Sequence, residues 1–395
     1  MKLWNALFLC FILLVCSTCK KPYTPIIVAT DHHYLVVEGF INSGNDSTFI
    51  KLSHTALLNS KTINPDSGAM VTIESDKNDT YGLKEVKTGI YSIANLNLPT
   101  ERKYRLRIIT LQNKEYVSDF VENKITPEID SVFYKPLTSG VQFYVSAHDP
   151  TNKTRYYKWD YDETWTYFSL ERSQLTYKNH VVSFTDPDSL LAICYRHATP
   201  SNSFYVANSL ALGQDVISHF PVGYVAASTG RLTHVYSLLV KQHAITEDAY
   251  KFWQILKKNT EQLGSIFDPY PSTSLGNIHP VTNKDDIVLG ILSVSTETSK
   301  RIFLSGRTLP FYVPPYLGPA YSTDCKSGYI PIKPESTLPQ RLERTLSSGD
   351  TLLTLGVGDP ITHQLIGYNY STRICVDCRV AGGTTIRPSY WPIGF

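Results

Sequence analysis

Charge is scarce in this chain. Lys, Arg, Asp and Glu make up only 18% of its 395 residues, where a soluble domain ordinarily carries about a quarter. The formal net charge is +2, with no Lys/Arg run in the globular part, so a coiled coil, a highly charged tail and the basic footprint of a nucleic-acid binder are all excluded. Beyond the first residues no stretch reaches the roughly 18 uninterrupted apolar residues that a spanning helix needs. Also missing are G-x-S-x-G, H-E-x-x-H and a phosphate-cradling glycine loop, so no motif assigns a reaction and no cofactor is expected. No period of 20 to 50 residues repeats, which leaves a solenoid or propeller without support.

What is present is apolar and aromatic. Hydrophobic residues reach 42%, with 26 Tyr and 5 Trp, enough for one well-buried core and material for a second. The chain opens on Lys2 and an apolar run, Leu7 to Val15, which has the length of a signal-peptide core and is too short to span a bilayer. Ser17-Thr18-Cys19 then places small residues just before a cysteine, a pattern that resembles a bacterial lipobox. Residues 1–18 are therefore expected to be removed and Cys19 to carry lipid, with Cys16 as the weaker competitor and a plain secreted protein as the alternative. Residues 19–33, with Pro22 and Pro25, read as an extended tether.

From residue 34 to 128 short alternating runs are separated by turn residues. In Tyr104-Arg105-Leu106-Arg107-Ile108 the apolar side chains point one way and the arginines the other, the pattern of a half-buried strand. Six or seven such strands without a helix predict an immunoglobulin-like β-sandwich. Thr126-Pro127-Glu128 marks the boundary to a larger β-rich domain over 129–395. The expected fold class is thus mainly β, with one amphipathic helix near 247–259 whose cap is Thr246 and whose apolar stripe is Ala249, Phe252, Trp253 and Leu256.

The most distinctive run is Tyr156 to Tyr167. With period 2, Tyr157, Trp159, Tyr161, Trp165 and Tyr167 share a face interrupted by Glu163, while Lys158, Asp160, Asp162, Thr164 and Thr166 share the other. Two readings compete. Trp159, Tyr161, Glu163 and Trp165 form a platform for a sugar or aromatic ligand, with Glu163 and Asp162 as a candidate carboxylate pair, or the rings are the inner face of a sheet, the commoner fate of such residues.

Of seven cysteines, Cys194, Cys325, Cys375 and Cys378 remain once the leader is removed and Cys19 lipidated. An even set in an oxidising compartment favours two disulfides, with Cys194 and Cys325 each joined to one member of the 375/378 pair. Structural zinc and a redox-active CxxC are the alternatives. Asp31-His32-His33 and Asp186-Pro187-Asp188 read as solvated linker and turn rather than as metal sites.

Several long stretches carry a resemblance. Tyr236-Ser237-Leu238-Leu239-Val240-Lys241-Gln242, Ala249-Tyr250-Lys251-Phe252-Trp253, Lys257 to Pro269, Gly276-Asn277-Ile278, and Cys375-Val376-Asp377-Cys378-Arg379 with Gly382-Gly383-Thr384 resemble the bacterial family known as domain of unknown function DUF4249. Cys19-Lys20-Lys21-Pro22-Tyr23 followed by Leu35 to Gly39 resembles that family's mature start. The resemblance implies a Bacteroidota envelope lipoprotein, held in the outer membrane by lipid on Cys19 and often encoded near receptors of the TonB-dependent type, with no established reaction and no catalytic residues to transfer. Lys20 and Lys21 stand where surface-exported lipoproteins of that phylum often carry acidic residues, so both faces of the membrane stay open. The function expected is a non-enzymatic accessory or ligand-capture component beside such a receptor. A carbohydrate- or peptide-active enzyme and an adhesion module are its rivals.

Overall fold

The structure, a computed structural model, describes residues 34–56, 63–186, 191–200, 204–261, 276–316 and 325–392. The leader, Cys19, the tether and the Asp31-His32-His33 run lie outside the described residues.

The chain is mainly β, and its strands begin with a sandwich. One sheet is built on Leu35–Asn42 and Thr48–His54, continued by Ile90–Ile93 and Lys84–Lys87. The facing sheet runs through Glu115–Ser118, Lys103–Ile109, Met70–Ser75 and Thr80–Gly82. Alternation sorts the residues as expected: Tyr104, Leu106 and Ile108 are sealed in the core, while Arg105 and Arg107 reach Glu74 and Glu115 on the outside at 2.7 and 2.8 Å.

The boundary drawn at residue 128 needs correction, because residues 276–296 return to this first sandwich. Ile278–Pro280 pairs with Glu115–Ser118, and Val288–Leu289 and Val294–Ser295 run parallel to Leu35–Asn42. Ile278, Val288, Leu292 and Val294 are buried in its core. Gly290, at φ 150°, lets the returning backbone touch Val37, whose carbonyl oxygen would stand 2.3 Å from any Cβ there.

Strands between residues 129 and 244, joined by Glu297–Ser305, form a second sandwich. A three-stranded sheet of Ile129–Leu137, Gly140–Asp149 and Asp215–Ala226 covers a longer one ordered Ile193–Ala198, Tyr156–Phe168, Val235–Ala244, Glu297–Ser305. Rings fill the space between: Phe143 lies 5.7 Å from Tyr236, and Trp159 lies 4.9 Å from Phe220. The helix spans Glu247–Glu261. Thr246 caps it, its hydroxyl accepting from the Ala249 amide at 3.2 Å.

A second helix, Leu338–Leu346, was not expected. Leu338, Leu342 and Leu346 recur every four residues and lay one stripe on a small sheet of Ser327–Pro331, Leu365–Thr372 and Thr351–Gly358. The helix is only nine residues long and carries Pro339 in its first turn, which hid it among the surrounding turn residues. The 129–395 region is therefore not one body of sheet but a sandwich followed by this smaller C-terminal layer.

Candidate functional site

The aromatic face of Tyr156–Phe168 is an interior face. Trp159 is 0% exposed, and Tyr161 and Trp165 are buried with it, so the proposed platform of Trp159, Tyr161, Glu163 and Trp165 offers no ring to a ligand. The reason is geometric: these residues alternate toward the covering sheet, where stacked rings displace water. Trp159 Nε1 donates to Gln242 Oε1 at 2.8 Å, which satisfies the only polar atom of the indole.

Glu163 does not act as a substrate-facing carboxylate either. It is 2% exposed, paired with the Arg231 guanidinium, and accepts from the Tyr236 hydroxyl at 2.7 Å. Burial and the neighbouring Glu163 charge push the Tyr236 hydroxyl well above its ordinary value, so it stays a donor. Asp162 and Glu163 point to opposite faces of the strand and cannot work as a pair on one substrate.

The charged face of the same strand is the one that the alternation put aside. Register brings Lys158, His243 and Glu297 into one row, Asp160, Lys241 and Ser299 into the next, and Asp162, Leu239 and Arg301 into a third. Lys241 reaches Asp162 at 2.7 Å, Lys158 pairs with Asp160, and His243 Nε2 lies 3.5 Å from Asp160 and 3.8 Å from Glu297. Burial pushes the Asp160 carboxyl up, but Lys158 and His243 outweigh it and hold the group well below the usual carboxylate range. Glu297 moves the other way, raised by burial. Phe40 of the first sandwich packs on the His243 ring at 4.2 Å, so these rows knit three strands together and meet the joint between the sandwiches.

The four expected cysteines are two bridges. Cys194 is joined to Cys378 and Cys325 to Cys375, with Cα atoms 5.7 and 5.2 Å apart. Between the two C-terminal members, buried Asp377 receives Arg379 Nη2 at 2.8 Å and Arg373 Nε at 3.1 Å. The chain beyond is then laid across the sheet, with Thr384 bridging Tyr195 and Trp391 packed on Tyr195 and Phe303.

A cleft of about 370 Å³ opens at one end of the first sandwich, within the size range of small-ligand sites. Sequence reasoning missed it, since its wall comes from five separate segments: Tyr34 and Leu35, His54, Asp66, Thr110 to Tyr116, and Asp285 to Ile287. His54 Nε2 and Asp66 Oδ2 are 3.0 Å apart. Lys114 Nζ and the Tyr116 hydroxyl, which also line the cleft, donate to Asp286 at 2.9 and 3.2 Å. The Lys114 bond lowers the Asp286 carboxyl below its ordinary range, and burial, with Asp286 beside it, pushes the Tyr116 hydroxyl up to about 12. Asp286 is therefore an anion and Tyr116 a neutral donor at neutral pH.

The sequence profile of DUF4249, a domain of unknown function, matches residues 20–301. The chain belongs to this family. The DUF4249 match takes in the first sandwich with its cleft and the long strands of the second sandwich up to Arg301, inside Glu297–Ser305. The C-terminal layer and three of the four bridging cysteines lie beyond it. No curated protein matches the chain. Among solved structures it is similar to the FN1–FN3 domains of chicken CNTN1, at 13% identity over 53% of this chain and 62% of that one, with a TM-score of 0.17. It is also similar to the adhesin InvE of Yersinia pseudotuberculosis, at 12% identity over 53% of this chain and 54% of that one, with a TM-score of 0.14. This DUF4249 chain thus spans less than two thirds of either structure's length.

Proposed function

We propose that this DUF4249 protein is a lipid-anchored protein of the bacterial envelope that captures a small ligand beside an outer-membrane receptor of the TonB-dependent type, without chemistry of its own. The observation that carries the capture reading is the polar cleft, which Tyr34 lines at the point where the described chain begins. Fourteen residues separate Cys19 from Tyr34, a reach of at most about 54 Å at full extension. A lipid on Cys19 would hold the cleft within that distance of the membrane surface, where a transport receptor works. Support for a partner comes from the far half of the Thr351–Gly358/Leu365–Thr372 hairpin, which leaves Leu355, Ile361, Leu365 and Ile366 exposed with Tyr329 beside them. Apolar side chains left exposed on both faces of one hairpin are available for contact with a partner.

Two experiments test the reading. Cys19→Ala should release the protein from the membrane fraction, since two or more acyl chains supply the anchoring energy; a variant that sediments like the wild type refutes the anchor. Mild detergent extraction followed by affinity purification should recover a barrel receptor with the protein. Repeated recovery of the protein without any barrel would overturn the receptor partnership.

A further inference from the structure

We propose that a second cleft, between the hairpin Leu175–Lys178/Val181–Phe184 and the C-terminal layer, is a binding site for an uncharged, mainly apolar small molecule that carries one hydrogen-bonding group. Hydrogen bonds bring the two parts together: the Gln174 amide donates to the Thr354 carbonyl at 3.0 Å, and the Ser173 hydroxyl to the Leu353 carbonyl at 2.8 Å. About 260 Å³ of space stays open beside this contact. None of the residues that line it carries a charge, the opposite of the cleft in the first sandwich. An ion entering here would shed water and find no counter-charge on the wall, so the site selects a neutral molecule.

Leucines set the body of the ligand. Leu175 and Leu353 belong to a buried apolar cluster, Leu346 packs against it, and Leu352 joins them on the wall, so a ligand gains by burying carbon there. One atom sets its polar group. The hydroxyls of Tyr177 and Thr351, which also line the cleft, are engaged by His180 Nδ1 and the Thr345 carbonyl. Thr185 differs, because its Oγ1 is shielded from solvent and has no hydrogen-bond partner among the described residues. A desolvated hydroxyl without a partner costs free energy, and a ligand hydroxyl or carbonyl laid in the cleft would supply that partner. An apolar cavity of about 150 Å³ holds benzene. The 260 Å³ here therefore admits one ring with a short arm, or an alkyl chain of similar size.

This site goes beyond the capture reading and uses no residue of the polar cleft, so the two stand or fall separately. Calorimetric titration of the purified full-length protein with 4-ethylphenol, 1-hexanol, ethylbenzene and 4-ethylbenzoate is the test. Saturable binding of 4-ethylphenol or hexanol is expected, severalfold weaker binding of ethylbenzene than of 4-ethylphenol, and none of the charged benzoate. Whichever alcohol binds more tightly tells ring from chain. Thr185→Val keeps the shape of the side chain and breaks no hydrogen bond of its hydroxyl, so the melting temperature should not fall. In that variant 4-ethylphenol should lose its advantage and bind no better than ethylbenzene, a change that a merely structural threonine would not produce. Leu352→Trp, which narrows the cleft, should abolish binding of all three neutral probes. No binding of either alcohol, benzoate binding as tight as that of the phenol, or an unchanged preference for the phenol in Thr185→Val would each overturn the inference. Unaltered binding in a Leu352→Trp variant that melts like the wild type would do so too, by placing the ligand elsewhere.

Discussion

Glu163 and Tyr236 meet inside the second sandwich, the tyrosine hydroxyl donating to a carboxylate that water does not reach, at 2.7 Å. Arg231 neutralises the same carboxylate from the rim of the core. An acid set among aromatic rings is thereby a structural element, and its cost appears only when its partners are removed.

Arg231→Met should therefore be more harmful than Glu163→Gln. Removing the guanidinium strands a buried carboxylate and should cost about 3–5 kcal/mol, whereas the Gln variant keeps an acceptor for Tyr236 and removes the charge. Denaturant unfolding of the two variants checks the order. Equal losses would show that the charge is solvated by another route.

Trp159→Ala should lose about 3–5 kcal/mol through the cavity left between the two sheets and the stranded side-chain oxygen Oε1 of Gln242. The same unfolding measurement decides it. A loss within error would return the ring to the surface and revive the platform.

Reduction should destabilise the protein by about 2–5 kcal/mol for each bridge, and the folded, unreduced protein should show no free thiol at Cys194, Cys325, Cys375 or Cys378 when denatured. Thiol counting together with metal analysis checks this. Stoichiometric zinc with four reactive thiols would replace the bridges by a metal site.

Acid should weaken the fold through Asp149. Burial pushes its carboxyl up, but Thr151, Lys153 and Thr154 donate four hydrogen bonds to it, and together they bring it from 3.8 down to about 2. A depressed folded value means that the stabilisation, about 2 kcal/mol, is complete above pH 4 and is lost as pH falls toward 2. Unfolding free energies from pH 6 to 2 should fall less steeply in Asp149→Asn than in the wild type, and parallel curves would contradict the assignment.

A chain ended at residue 128 should not fold cooperatively. It would lack Ile278, Val288, Leu292 and Val294, four buried side chains of the first core, each contributing about 1.5–3 kcal/mol, and would expose the edge of Leu35–Asn42. Thermal unfolding followed by circular dichroism tests it; a sharp transition would make the first sandwich independent of the returning segment.

The strands of the first sandwich, the long aromatic strand and the Glu247–Glu261 helix were legible because backbone geometry imposes periods of 2 and 3.6 on any half-buried element. Alternation also divided Trp159 from Asp160 correctly. It left open whether the aromatic face would be covered, since the covering residues Phe143 and Phe220 belong to strands whose neighbours no local pattern names. The short Leu338–Leu346 helix offered barely two turns of period.

By itself, then, the sequence determined the class of structure: β-rich from its alternation, membership in DUF4249 from its long motifs, and a supply of four cysteines positioned to tie down the C-terminal segment. Tertiary structure alone decided that residues 276–296 travel back to the first sandwich, that Cys194 takes Cys378 while Cys325 takes Cys375, and that Asp66 and Asp285, 219 positions apart in the chain, face one cleft. The division has a physical cause. Periodicity is a local consequence of backbone dihedrals, whereas strand partners and clefts follow from which apolar faces bury one another across the whole chain, a global free-energy minimum that no short stretch of residues encodes.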